Sequence, residues 1–191
     1  KAPVLSTNTD IFVTTFSGGK DSQVLLDLIS RVITAEEFVV VYSDTGYELP
    51  PSLELYEKVI SYYFQKYPNI HFYTAKNHQS VLYYWDKIGT PSRIHRWCCS
   101  VMKSAPLSRL LKEIVAKGKQ PNAILFDGVR AEESQARSSR SKIGKNVKHN
   151  KIINVSPLLE WNATEIYMYI LLHNLPVNEA YRRGLSRVGC V

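Results

Sequence analysis

The sequence has little cysteine and no long hydrophobic run, and both features limit the classes of protein to which it can belong. Its 191 residues contain three cysteines. So few thiols, in odd number, argue against a closed disulfide framework and favour thiols or metal ligands in a reducing compartment. The apolar runs fall far short of the roughly 20 residues that a membrane-spanning helix needs, and the N-terminal KAPVLSTNTD lacks the apolar core of a signal peptide. The sequence therefore predicts a cytoplasmic protein without a membrane partner.

Acidic residues are also in deficit, with 17 Asp and Glu against 24 Lys and Arg. The net charge of +7 and the isoelectric point near 9.3 favour polyanionic partners, which nucleotides and nucleic acids both are. The length, without repeats or low-complexity tracts, predicts a single domain over residues 1–191. Because the sequence does not begin with Met and stops one residue after Cys190, we expect it to be part of a longer chain.

A glycine-containing turn after the first apolar stretch is the most informative part of the sequence. The apolar, β-branched run 11–16 precedes it and a helical spacing of apolar residues follows from Val24, which indicates strand, tight turn and helix. Adjacent glycines let backbone N–H groups approach a ligand, and a helix N-terminus favours an anion. Neither G-x-x-x-x-G-K-S/T nor G-x-G-x-x-G fits here. We predict a phosphate-binding turn, against the alternative of a plain solvated turn, formed by Ser17, Gly18, Gly19, Lys20, Asp21 and Ser22.

Short apolar runs that alternate with helical patterns predict an α/β fold. The expected architecture is Rossmann-like and doubly wound, with a mostly parallel five-stranded sheet and helices on both faces. In such sheets ligands bind at the carboxyl ends of the strands. Asp44 and Gly128 follow the second and fourth strands and are therefore expected beside the turn, although Asp44 would also serve as a helix cap. The predicted strands cover 11–16, 38–42, 70–73, 123–126 and 152–155.

Two arginines after the fourth strand are candidates for holding an anion. Arg130 and Arg137 are seven residues apart and would project from one face if the segment is helical. Guanidinium groups grip phosphate or sulfate in bidentate fashion, although a solvated helix start would explain the same residues. From Arg137 to Lys151 there are six basic residues and no acidic one, which predicts a basic mobile loop over 138–151. Such a loop would be a lid over the nucleotide or a contact with a nucleic-acid backbone.

The adjacent cysteines Cys98 and Cys99 lie among basic residues. Neighbouring positive charge favours the thiolate, which is the form that ligates metal or reacts. The residues alone leave four interpretations open: an iron–sulfur cluster, a zinc site, unligated thiols and simple burial. Cys190 lies in the basic segment 181–191, which we expect to begin a cysteine-containing C-terminal segment. The basic residues that flank the pair are Arg93, Arg96 and Lys103.

Several motifs, in this order along nearly the whole chain, carry a family resemblance. They are SGGKDS, YSDTG, the cysteine pair followed by Lys103 and Pro106, GVRAEESQAR, SPLLEW and LPVN…YRRGLSRVGC. Together they resemble the phosphoadenosine-phosphosulfate reductase family, within the adenine nucleotide alpha-hydrolase superfamily of PP-loop ATP pyrophosphatases. The resemblance implies that ATP is the bound nucleotide and that Asp21 lies close to Mg²⁺. It also implies that the pyrophosphate is contacted by Ser17, Gly18, Gly19, Lys20 and Ser22.

The same resemblance implies roles for the arginines and the cysteines. Arg130 and Arg137 correspond to anion-contacting arginines, so the implied catalytic set is Lys20, Asp21, Arg130 and Arg137. Iron–sulfur members of the family hold a 4Fe-4S cluster with four thiolates. The implied ligands here are Cys98, Cys99 and Cys190, with a fourth beyond Val191.

The intact SGGKDS turn resembles the ATP-cleaving branch of the superfamily more than the sulfonucleotide reductases, which commonly carry a degenerate turn and a C-terminal catalytic cysteine. We therefore predict cleavage of ATP to AMP and pyrophosphate in sulfur-transfer chemistry such as DNA phosphorothioation or tRNA thiolation. A sulfonucleotide reductase is the first alternative, and a non-catalytic subunit that binds nucleotide or nucleic acid is the second. The expected partners are an adenine nucleotide, a nucleic acid or sulfur-carrier protein, and a second copy of the chain.

Overall fold

One six-stranded sheet forms the centre of the structure, a computed structural model that describes residues 9–92, 94–115, 119–146, 149–186 and 188. The strands lie in the order β3-β2-β1-β4-β6-β5. Neighbouring strands are parallel except for β5, which is antiparallel to β6. The predicted α/β class and mostly parallel sheet are thus confirmed. The strands are β1 (Ile11–Phe16), β2 (Phe38–Asp44), β3 (His71–Lys76), β4 (Ala123–Phe126), β5 (Ile143–Lys145) and β6 (Ile152–Val155).

The helices follow the strands in the alternation that the sequence predicts. None of those formed by the described residues combines the length and apolar content that crossing a bilayer requires. They are α1 (Lys20–Val32), α2 (Pro50–Lys66), α3 (Val81–Ile88), α4 (Ala105–Ile114), α5 (Gln135–Ser138), α6 (Ala163–Leu172) and α7 (Glu179–Arg182), with a π-helical turn over Cys99–Ser104 and a 3₁₀ turn over Ala131–Glu133.

The prediction of five strands is wrong by one, because β5 lies within the segment 138–151 that was predicted as a loop. This strand has three residues, too few to show a period-2 pattern. It is held by pairing with β6, where Ile143 lies opposite Val155. The strand therefore depends on backbone hydrogen bonds to an existing sheet edge, which the composition of the segment does not reveal.

Side chains that alternate along the strands pack against helices on both faces of the sheet. On one face, Phe16 and Tyr42 belong to a core that includes residues of α1, α2 and α6. On the other face, Val13 and Val41 pack with Leu111 of α4. Helices on both faces are therefore confirmed, and burial from both sides explains the continuous apolar run of β2.

The order of the strands reverses at β1, which lies between β2 and β4. The chain first builds the sheet outward from β1 through β2 to β3, and then returns to place β4 on the other side of β1. In open α/β sheets, such a reversal leaves a crevice at the carboxyl ends of the two strands. The glycine turn after β1 and the segment after β4 both open into this crevice.

Candidate active site

A cavity of about 450 Å³ lies at the carboxyl ends of β1 and β4. It is lined by the start of α1, by the segment after β4 and by residues of the C-terminal part of the chain. Most of the residues that the sequence singles out as candidates for the site lie in this lining. Those that line the cavity are Ser17, Gly19, Lys20, Asp21, Ser22, Gly128, Arg130 and Arg137.

The shape of the glycine turn is fixed by one backbone conformation and by hydrogen bonds of Ser22. Gly18 has φ +72°, a left-handed conformation that favours glycine, and a Cβ there would lie 3.2 Å from Cβ of Ser52. The Ser22 hydroxyl donates to the Gly19 carbonyl at 2.8 Å and accepts the Ser17 N–H at 3.2 Å. Gly18 therefore shapes the turn against α2, whereas its neighbours face the cavity.

Asn178 ties the C-terminal part of the chain to this turn. Its side chain is buried and donates to the Gly18 carbonyl at 3.0 Å and to the Ser52 hydroxyl at 3.1 Å. The same side chain accepts the Ala180 N–H and so caps α7. Sequence analysis assigned no role to Asn178, although an Asn directly before a short helix is a recognisable capping signal. The turn is therefore held from a point 160 residues away along the chain.

Asp21 joins the two cations that the prediction placed at the site. Its Oδ2 lies 3.1 Å from Nζ of Lys20, and its Oδ1 accepts the Nε–H of Arg130 at 2.5 Å. Lys20 and Arg130 are both buried. Burial alone would lower the pKa of Arg130, but the Glu132 carboxylate and the charge of Asp21 raise it above its usual value. Both cations therefore face one cavity, and the Arg130 guanidinium remains charged there.

The segment that carries the two arginines is not one continuous helix. Ser134, with φ −173° and ψ 155°, is extended and separates the 3₁₀ turn from α5. Arg137 nevertheless lines the cavity and pairs with Glu133, which also accepts the Arg130 N–H at 3.1 Å. Burial would raise the pKa of Glu133, but these two partners lower it below its usual value. Glu133 is therefore an anion that holds both arginines toward the cavity.

The sequence singles out Asp44 as a site residue, but the structure places Asp127 at the cavity. Asp44 forms an ion pair with Lys76 at 2.6 Å and accepts the Gly46 N–H, and it is not among the described residues that line the cavity. Asp127 does line it, and its carboxylate accepts from the Ser156 hydroxyl at 2.6 Å. Sequence analysis missed Asp127 as a site residue, although its position at the end of a buried strand carried the signal.

Cys98 and Cys99 are half-buried and lie at the start of the π-helical turn that brings Lys103 to the cavity. Cys190, the third predicted ligand, lies outside the described residues. Across the described part of the chain, no group of three or more His, Cys, Asp or Glu residues is arranged to hold a metal ion. The described residues thus offer two of the four thiolates that a 4Fe-4S cluster needs.

Gly128 follows β4 and lies against the backbone at the start of α1. A Cβ there would lie 3.1 Å from the carbonyl carbon of Asp21 and 3.3 Å from the Ser22 nitrogen. Because these are backbone atoms, we expect Gly128→Ala to shift the start of α1. The free energy of unfolding should fall by about 1 kcal/mol. The expected effect on pyrophosphate binding is a roughly tenfold loss of affinity. Chemical denaturation and calorimetric titration measure the two effects. Gly144→Ala, which meets nothing within 4 Å, is the control, and equal behaviour of the two variants would contradict the expectation.

Comparison with known proteins identifies relatives over most of the chain. The family model described as "Phosphoadenosine phosphosulfate reductase domain" matches residues 11–191. An adenosine 5'-phosphosulfate reductase of a Geobacillus species is 31% identical over 183 residues, which are 95% of this chain and 72% of that protein. The crystal structure of phosphoadenylyl-sulfate reductase from Candida auris, a phosphate complex, has a TM-score of 0.67 and 25% sequence identity, and the similarity covers 98% of this chain and 83% of that one.

Another relative is considerably longer. An uncharacterized protein of Methanocaldococcus jannaschii is 32% identical over 178 residues, which are 92% of this chain and 34% of that protein. The chain thus spans about a third of the length of this relative.

Proposed function

The chain belongs to the phosphoadenosine phosphosulfate reductase domain family, and we propose that it binds ATP in the cavity and cleaves it to AMP and pyrophosphate during sulfur transfer. The proposal rests mainly on the mixed charge of the cavity. Asp21 and Glu133 position the arginines, which a site for a bare sulfonucleotide would need as well. Asp127 pairs with no cation among the described residues: its carboxylate lines the cavity and accepts from Asn154 and Ser156, and a bare anion has no use for it. A site for a nucleotide with a bound divalent cation needs both signs, because the metal is held by one or two carboxylates together with phosphate oxygens. The positively charged side chains that line the cavity are Lys20, Lys103, Arg130 and Arg137, and the negatively charged ones are Asp21, Asp127 and Glu133.

The donor set of the cavity fits Mg²⁺ in its usual nucleotide-bound form. Asp21 and Asp127 would hold the ion together with the phosphates, and Mg²⁺ supplies Lewis-acid stabilisation of phosphate oxygens when bound. Asp21 is itself held by Lys20 and Arg130. The position of its carboxylate is therefore set by the same residues that would face the phosphate chain.

The residues of the chain have separate tasks in ATP cleavage. The glycine turn and the start of α1 would hold the β- and γ-phosphates, because N–H groups and the helix dipole favour an anion there. Lys20 would stabilise the charge that develops on the leaving pyrophosphate. Arg130 and Arg137, fixed by Asp21 and Glu133, would orient the α-phosphate toward the acceptor. The acceptor attacks the α-phosphorus, the leaving pyrophosphate takes the electron pair of the broken P–O bond, and AMP leaves when the sulfur nucleophile displaces it from the adenylylated acceptor. Where no acceptor is bound, water attacks in its place and AMP is released directly.

A sulfonucleotide reductase is the second candidate, favoured by the name of the Geobacillus relative. That reaction needs a thiol that reaches the sulfur of the substrate. No cysteine is among the described residues that line the cavity.

The proposal extends to the sulfur acceptor and to the three cysteines. We propose sulfur transfer to a nucleic acid or through a sulfur-carrier protein, with residues 138–151 on the acceptor side. Cys98, Cys99 and Cys190 remain the proposed ligands of a 4Fe-4S cluster. Iron analysis of anaerobically purified full-length protein tests that assignment, and an iron-free, colourless protein would reject it.

The two candidate reactions have different products. We expect the full-length protein with ATP and Mg²⁺ to release pyrophosphate and AMP, detected by an enzyme-coupled pyrophosphate assay and by chromatography. We expect no sulfite from adenosine 5'-phosphosulfate in the presence of a dithiol. Sulfite formation without pyrophosphate release would replace the first candidate with the second, and binding of neither nucleotide would reject both.

A further inference from the structure

Tyr181, on the short helix α7, reaches the glycine turn from the distant end of the chain. Its hydroxyl oxygen accepts the backbone N–H of Lys20 at 3.1 Å. Lys20 is the first residue of α1, and the first N–H groups of a helix have no partner within it. A phenol oxygen therefore lies directly on the N-terminus of the helix that faces the cavity.

The hydroxyl still has a proton to give. A phenol that accepts one hydrogen bond can donate another, and Tyr181 lines the cavity. Burial raises the pKa of Tyr181 to about 12, although the hydrogen bond from the Lys20 N–H lowers it and the charge of Asp21 adds a smaller increase. The side chain is therefore neutral at physiological pH, and it presents a donor to an anion and not a second negative charge.

We propose that Tyr181 is a further phosphate-binding residue, whose O–H donates to an oxygen of the phosphate chain held by the glycine turn. This inference rests on the proposed function and adds a residue to its site. The hydrogen bond from the Lys20 N–H polarises the hydroxyl, and hydrogen bonds in such a chain strengthen one another. The positive end of α1 thus acts on the phosphate through Tyr181 as well as through its own amides.

The ring of Tyr181 has a second task, which is to hold the ammonium group of Lys20. Nζ of Lys20 lies 5.4 Å from the centroid of this ring and 6.0 Å from that of Tyr167. The two rings meet edge to face at 6.3 Å. Because Asn178 caps α7 and binds the Gly18 carbonyl, the phenol and the turn are held by the same side chain.

The contact between the Tyr181 hydroxyl and the Lys20 N–H allows two interpretations with opposite effects on ligand affinity, and binding measurements distinguish them. If the hydroxyl only occupied the place of a phosphate oxygen, its removal would free the Lys20 N–H and tighten binding. If it donates to phosphate, its removal costs a charge-assisted hydrogen bond. The sign of the change in affinity therefore decides between a ligand-binding hydroxyl and a blocking one.

The test is calorimetric titration of the full-length protein with inorganic pyrophosphate and with ATP. We expect Tyr181→Phe to raise both dissociation constants roughly tenfold. The melting temperature without ligand should fall by only a few degrees, because the Lys20 N–H loses its acceptor. Tyr83→Phe is the matched control, because it removes a hydroxyl from an exposed ring of α3, which is not among the described lining residues. We expect it to change affinity by less than about twofold.

Lys20→Met in the same titrations distinguishes a failure of the proposed function from a failure of the role proposed for Tyr181. If the wild type binds neither ligand, or if Lys20→Met binds as tightly as the wild type, the proposed function fails and the role of Tyr181 falls with it. If Lys20→Met weakens binding while Tyr181→Phe leaves it equal or tighter, only the role of Tyr181 is overturned.

Discussion

Lys20→Met is expected to lower the rate of pyrophosphate release by about 10²–10³-fold, the usual cost of removing one preorganised group from developing charge. Lys20 is buried, and its ammonium lies between the Asp21 carboxylate and the rings of Tyr167 and Tyr181. A cation held in this way needs little reorganisation when charge appears on the leaving pyrophosphate. Methionine keeps a side chain of similar length against the rings but removes the charge.

The measurement is steady-state pyrophosphate release with saturating ATP and Mg²⁺. Lys58→Met, a change of the same type at an exposed position of α2, is the control and should retain the wild-type rate. A Lys20→Met rate within about threefold of wild type, roughly 0.7 kcal/mol, would mean that Lys20 holds the structure and not the reacting phosphate. Far-ultraviolet circular dichroism on both variants shows whether a loss of rate is a loss of fold.

The parts of the site that were predictable are those with a local pattern. The strand–turn–helix at the start of the chain was visible because an apolar run, two glycines and a helical period follow one another directly. Arg130 could be placed near Lys20 because parallel strands bring their carboxyl ends to one edge. The structure joins both residues to Asp21.

The parts that were not predictable depend on contacts between distant segments or on the direction of a side chain. Tyr181 and Asn178 reach the turn from 161 and 160 residues away, and no periodicity links them to it. Asp44 lies at the end of a strand next to β1, but its carboxylate is taken by Lys76 of β3. The adjacency of strands is thus readable from the sequence, whereas the partner of a polar side chain at a strand end is not.

Arg130 and Arg137 reach the cavity without the continuous helix that the sequence analysis considered for this segment. A continuous helix would bring Arg130 and Arg137 to one face by its period. The chain instead uses a 3₁₀ turn, an extended Ser134 and one turn of α5. Glu133 binds the backbone N–H of Arg130 and the side chain of Arg137. One carboxylate therefore replaces the helix as the feature that keeps both arginines at the cavity.

Arg130→Ala is expected to have the largest effect on stability among single changes at the site, because Arg130 is buried and contacts two carboxylates, Asp21 and Glu132. Among the described residues, its removal leaves Asp21 with Lys20 as its ion-pair partner. Breaking one side of a buried ion pair costs about 3–5 kcal/mol, and we expect about 3 kcal/mol here because Glu132 is 43% exposed and can be hydrated. Denaturant unfolding at neutral pH measures this loss.

Two further variants show whether the charge or the shape of Arg130 matters. Arg130→Lys keeps the charge, but an ammonium lacks the planar fork with which Arg130 reaches both carboxylates, so it should recover only part of the stability. Arg137→Ala removes a more exposed guanidinium that pairs with Glu133 and should cost about 1 kcal/mol or less. If Arg130→Ala and Arg137→Ala were equally stable, the network around Asp21 would not hold the cavity together. The turn would then depend on its contacts with Asn178, Ser22, Tyr181 and Gly128.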